Sequence, residues 1–123
     1  MRGDTSNPFD NVADYAGYQA AGNVITGNVI AWPTSQGIAL YYGSGTTVSN
    51  VITGNHIFGA GGHGIYLYAS SYNTITGNAI DGSSRSSNNT SHDIYLSNNG
   101  SVYSTYNVIS SNNLQASQTN KVA

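Results

Sequence analysis

The sequence predicts an all-β solenoid of about four stacked coils, and three observations carry that expectation. One short phrase recurs along the chain, turn-forming residues interrupt every stretch long enough for a helix, and no single unit holds enough aliphatic residues to build a core of its own. The phrase is Asn23-Val24-Ile25-Thr26-Gly27-Asn28-Val29-Ile30, and it returns as Asn50-Val51-Ile52-Thr53-Gly54-Asn55-His56-Ile57 and as Asn73-Thr74-Ile75-Thr76-Gly77-Asn78-Ala79-Ile80. A weaker copy at 107–114 keeps both Asn and both aliphatic positions but has Ser111 in place of the glycine.

Each element follows from local pattern. Val-Ile-Thr and the aliphatic pair beyond it are short period-2 stretches separated by Gly and Asn, which reads as strand, turn, strand. A third stretch completes each unit: Gly37-Ile38-Ala39-Leu40, Gly64-Ile65-Tyr66-Leu67 and Asp93-Ile94-Tyr95-Leu96. With only four or five aliphatic residues per unit, burial requires stacking. Ile25, Ile52, Ile75 and Ile109 then form one inward column, Ile30, Ile57, Ile80 and Leu114 a second, and Ile38, Ile65 and Ile94 a third, with strands pairing in parallel one coil apart. Asn28, Asn55, Asn78 and Asn112 fall at a turn, where their amides can bond one another and the backbone groups left open by the bend.

Composition bounds the function. Asn, Ser, Thr and Gly supply 59 of the 123 residues and Ile, Leu, Val and Phe only 24, yet the formal net charge is just −2, so the chain lacks the charge excess of a disordered segment. Three Lys and Arg are too few to track a phosphate backbone, which excludes nucleic acid as a partner. The absence of cysteine excludes disulfides, thiolate zinc sites and a Cys nucleophile. No apolar run approaches the ~20 residues that span a bilayer.

The pattern Asn-x-Ile-Thr-Gly-Asn-x-Ile followed by Gly-Ile-x-Leu resembles the repeats of right-handed parallel β-helices of the pectin-lyase-like superfamily. It is most similar to the repeats shared by carbohydrate-binding and sugar-hydrolase domains and by NosD-type periplasmic proteins. The resemblance covers about 23–114 and implies a right-handed parallel β-helix in an extracytoplasmic protein, whose export signal would lie outside this sequence. Residues 1–22 are expected to cap the first coil or to be a degraded coil. Phe9, Val12, Tyr15 and Tyr18 stand there at helix-like spacing, with Asp10 as N-cap. Residues 115–123 form a tail. Four coils at ~4.8 Å each make a stack only about 20 Å tall with open strand edges, so the chain is expected to be an excerpt of a longer β-helix or to self-associate.

Inserts at 41–49, 82–91 and 97–106 lengthen the coils, and the polar stretch at 82–91 is expected to be a solvated loop. Between Asp14 and Lys121 the only formal charges are Asp81, Arg85 and Asp93. His63 and His92 precede equivalent strands in successive coils, so stacking sets them about 5 Å apart. The expected glycan-binding face is therefore His63, His92, Asp93, Tyr66 and Tyr95, with Arg85 on an adjacent loop: tyrosine rings pack on sugar faces while polar groups bond hydroxyls or uronates. For a polysaccharide-active enzyme, catalytic groups would come from Asp81, Asp93, His63 and His92, the two carboxyls acting as a glycosidase pair if the loop at 82–91 brings them within about 5–10 Å.

Gly62-His63-Gly64 is similar to the Gly-His-Gly element of polygalacturonases. Their other signatures are missing, since Ser35 and Gln36 stand one coil upstream where aspartates belong. No metal centre and no cofactor are expected, because His56, His63 and His92 have no carboxylate at ligand spacing. Two non-catalytic alternatives remain: a structural or surface-display domain, and an ice-binding surface built on the outward Thr26, Thr53 and Thr76 column continued by Ser110.

Overall fold

In the computed structural model, residues 22–41, 49–85 and 91–115 are described, together with the backbone of two short N-terminal strands, β1 (Arg2–Gly3) and β2 (Val12–Ala13). The first coil holds β3 (Val24–Thr26), β4 (Val29–Ala31) and β5 (Ile38–Tyr41), and the second β6 (Val51–Thr53), β7 (His56–Phe58) and β8 (Ile65–Tyr68). The third coil holds β9 (Thr74–Thr76), β10 (Ala79–Asp81) and β11 (Ile94–Ser97), and the fourth begins with β12 (Val108–Ser110) and β13 (Asn113–Gln115). Strands of like position pair in parallel into three sheets, in the orders β3-β6-β9-β12, β4-β7-β10-β13 and β5-β8-β11. No helix occurs among the described residues, and the architecture is a right-handed parallel β-helix.

The register places every repeat on its counterpart: Ile25, Ile52, Ile75 and Ile109 align, as do Ile30, Ile57, Ile80 and Leu114, and Ile38, Ile65 and Ile94. One continuous core results, completed by Leu40 and Leu67. Ile109, Leu114, Ile30 and Leu96 are only partly buried, since they belong to the outer coils and lack an aliphatic neighbour on one side. The chain bends after each Val-Ile-Thr strand through Gly27, Gly54 and Gly77, all with φ between 66° and 69°. In the fourth copy Ser111 adopts the same left-handed conformation, at φ 56°, so the turn survives the loss of its glycine at a cost of about 1 kcal/mol.

Two asparagine ladders run along the stack, where sequence had indicated one. In the expected ladder, Nδ2 of Asn55 donates to Oδ1 of Asn78 at 3.0 Å and to the carbonyl of Ile25 at 2.9 Å, while Oδ1 of Asn78 also accepts from the Asn55 backbone N–H. The second joins Asn23, Asn50, Asn73 and Asn107 through the same amide-to-amide contacts at 2.9–3.0 Å.

Three expectations about the connections change. Val12 lies in β2, paired antiparallel with β1 and beside β5, rather than on a helix; Phe9, Asp10, Tyr15 and Tyr18 lie outside the described residues. The insert at 82–91 does not begin as a solvated loop, because Ser83 and Ser84 are fully buried, while 86–90 lie outside the description. The insert after β11 is tied down: Ser104 Oγ donates to the Ser97 carbonyl at 2.7 Å, and Val102, like Tyr68, packs on Ala69.

Candidate functional site

The outward rows of β5, β8 and β11 carry an aromatic surface. Alternation along β8 turns Ile65 and Leu67 inward and Tyr66 and Tyr68 outward, and pairing sets Tyr95 beside Tyr66 and Tyr41 beside Tyr68. Tyr66 and Tyr95 stack with centroids 5.5 Å apart at 24°. His63 and His92 join them from the bend before each strand. His63 lies 4.4 Å from Tyr95 at 9° and 5.7 Å from His92 at 12°. Tyr41 extends the row, 5.5 Å from Tyr66 edge-on. Tyr41 is the member of this surface that sequence reasoning missed; its signal was the register of Gly37-Ile38-Ala39-Leu40 carried one residue further.

Since the rings face one another along the stack, solvent meets mainly their edges, the phenol hydroxyls and imidazole nitrogens. The backbone N–H of His92 donates to Nδ1 of His63 at 2.9 Å, which assigns the proton of the neutral ring to Nε2. Burial, then the nearby His92, lowers the His63 pKa to about 4, so the pair is uncharged at His63 near neutrality. Burial also raises the Tyr66 hydroxyl above its ordinary value, against a side-chain hydrogen bond from Ser97.

Asp93 does not belong to this face. It is 0% exposed, because the period-2 alternation stops at the bend occupied by Gly37, Gly64 and Asp93. A Cβ on Gly64 would lie 2.5 Å from Cγ2 of Ile80, and one on Gly37 2.5 Å from Cγ2 of Ile57, so side chains at this corner point into the core. Asp81 is exposed on the second sheet. The two carboxylates therefore share no solvent-facing site, and the glycosidase pair is withdrawn.

Arg85 is also elsewhere: its Nε donates to the Gly59 carbonyl at 2.6 Å and its Nη2 to the Pro33 carbonyl at 3.1 Å, at the corner beyond β4 and β7. It approaches Trp32 there, the guanidinium carbon 5.6 Å from the ring centroid. Sequence reasoning passed over this exposed tryptophan, and also over Tyr72 and Tyr106, which stack at 4.9 Å on the corners before β9 and β12.

Coils of this pattern, with stacked aliphatic columns and amide ladders, define a parallel β-helix of the pectin-lyase-like class. The family model described as periplasmic copper-binding protein (NosD) matches residues 6–122, and the chain belongs to that family. Searches of curated proteins and of solved structures returned no match.

Among the described residues the family's copper finds no matching donor set. The chain has no cysteine and one methionine, Met1. Of its three histidines, His56 projects from the second sheet beside Phe58, whereas His63 and His92 lie nearly parallel, so their nitrogens run side by side instead of converging on one ion. Nδ1 of His63 is already taken by a backbone donor. Among the described residues no three His, Cys, Asp or Glu side chains cluster.

Proposed function

We propose that this chain is an extracytoplasmic β-helix module that binds glycans on the His63, His92, Tyr66 and Tyr95 face, with Tyr41 at its margin. The observation that supports the reading is the continuous stack of those rings, spaced 4.4–5.7 Å apart across neighbouring coils. Such a stack is held by a rigid sheet, so little side-chain freedom remains to be lost on binding. Its hydroxyl and imidazole edges repeat with the coil spacing of ~4.8 Å and bond sugar hydroxyls, while the outer rings offer apolar surface to a sugar face. Extracytoplasmic placement rests on the family's description as periplasmic. Copper binding is left out of this reading, because the described residues bring no donor set together.

Amide and aromatic chemical shifts followed during titration with neutral and uronate oligosaccharides test the reading. Saturable shifts at Tyr66, Tyr95 and His63 that vanish in Tyr66→Ala are expected. A face that stays silent at millimolar sugar gives way to a structural role. The Thr26, Thr53 and Thr76 column also projects outward, with Thr76 Oγ1 bonded to Thr53 Oγ1 at 3.5 Å, and this regular row favours the ice-binding alternative. Ice crystals shaped by the protein, with the effect abolished by Thr53→Leu, would move the function to that sheet.

A further inference from the structure

We propose a second ligand site, independent of the tyrosine face, in which Trp32 and Arg85 bind an anionic sugar residue bearing a carboxylate or a sulfate.

Trp32, Gly59 and Gly82 occupy the same place beyond β4, β7 and β10, and all three have left-handed backbones, at φ 54°, 68° and 68°. Two coils meet that requirement with glycine. The first coil meets it with the bulkiest side chain available, in a conformation that L residues rarely adopt. Several contacts hold the strained residue. Its N–H donates to the Phe58 carbonyl at 2.9 Å, Phe58 meets the indole edge-on at 5.8 Å, and the ring lies against Gly59 so closely that a Cβ there would fall 2.2 Å from Cε3. Trp32 nevertheless remains 61% exposed, so burial does not account for its placement. A strained, exposed aromatic at a position where its repeats use glycine is the kind of local departure that marks a binding surface.

Charge supplies the second observation. The chain has three Lys and Arg residues, and Arg85 is the one between 22 and 115. Its Nε and Nη2 bonds to the Gly59 and Pro33 carbonyls fix the guanidinium beside the indole and leave N–H groups to spare. No carboxylate among the described residues pairs with it. A pre-positioned guanidinium takes a planar anion through two parallel hydrogen bonds, and the indole takes the apolar face of a ring beside that anion. Asp81 lies one coil beyond Phe58 in the same outward row and is exposed, so it accepts hydroxyl protons and repels a densely charged polymer. Together these groups select a sugar with one anionic substituent over a polyphosphate.

Trp32 is the only tryptophan in the chain, so fluorescence excited at the red edge, where the ten tyrosines do not absorb, reports this corner alone. The protein is titrated with trigalacturonate, a sulfated disaccharide and cellotriose. Saturable quenching or a spectral shift with at least one anionic sugar and none with cellotriose is expected, and which anion responds identifies the substituent. Arg85→Gln should weaken the response by about tenfold or more. Should that variant fold poorly, the salt dependence of the wild-type response decides instead, since binding through a guanidinium weakens as salt is raised. Tyr66→Ala should leave the fluorescence response unchanged, which keeps this site distinguishable from the tyrosine face. No saturable change with either anion at millimolar concentration, a salt-independent response, or an equal response to cellotriose overturns the proposal.

Discussion

Replacing Asn78 by Ala tests whether the amide ladder holds the stack together. Oδ1 of Asn78 accepts from the backbone N–H of Asn55 at 3.0 Å and from its side-chain amide at 3.0 Å, while Nδ2 donates to the Ile52 carbonyl at 2.9 Å and to Oδ1 of Asn112 at 3.0 Å. Asn55 and Asn78 are each only 1% exposed, so water cannot take over the lost contacts. The substitution orphans one buried backbone donor, at about 1–3 kcal/mol, and deletes further net bonds worth about 0.5–1.5 kcal/mol each, which places the total at roughly 3–5 kcal/mol. Asn28 is the control. It stands exposed at the start of the same ladder and donates to Oδ1 of Asn55 and to the Thr26 carbonyl, yet Asn55 Oδ1 keeps the Asn28 backbone N–H whatever the side chain. Asn28→Ala should therefore cost less than about 1 kcal/mol. Urea titration of both variants, read by circular dichroism with unchanged m-values, gives the comparison. Equal losses at the two positions would refute the ladder as a source of stability.

Other outcomes follow from the same packing. Ile65→Ala should cost about 3–5 kcal/mol and Ile109→Ala clearly less, because only the former is fully buried; similar urea midpoints would contradict the core assignment. Gly64→Ala should destabilise by about 1–3 kcal/mol, as its Cβ would sit 2.5 Å from the Asp93 carbonyl and from Ile80, and an unchanged melting temperature would refute that crowding. The folded-state pKa of His63 lies below its unfolded value of 6.5, so the unfolded chain binds more protons in between; stability should be complete above about pH 6.5 and decline as pH falls toward 4. His63→Gln should flatten that decline in a pH series of urea titrations, and an unaltered profile would assign it to another group. Stoichiometric Cu(I) or Cu(II) should leave the melting temperature unchanged, and a rise of several degrees would reveal a ligand set that these histidines do not form.

The coil, its strands and its three aliphatic columns were legible because a period-2 pattern repeated in register leaves stacking as the only way to bury so few aliphatic residues. Tyr66 over Tyr95 and His63 beside His92 followed from that register alone. Asp93 was misplaced because alternation was extended through a bend, where the glycines of the preceding coils were the sign that the side chain turns inward. Arg85 was misplaced for a different reason: its position depends on carbonyls one and two coils away, at Gly59 and Pro33, and no local pattern encodes such distant acceptors. The second ladder was visible as the Asn of each repeat's first position, but its partners become evident only once the bend before β3, β6, β9 and β12 is known.

The ladder spacings, 27, 23 and 34 residues between successive rungs, show that the amides set alignment while coil length varies freely between them. Sheets joined by hairpins have their registration dictated by the turn, so an added residue there flips every side chain beyond it. In this chain the connection to the next ladder asparagine has four residues after β8, 69–72, and nine after β11, 98–106, yet Asn73 and Asn107 enter adjacent rungs of one ladder. Such a design separates the parts that can be rewritten from those that cannot. Surface segments between rungs are open to lengthening, deletion or grafted peptides, whereas the two asparagine positions of each coil act as fixed index marks that restore alignment after every detour.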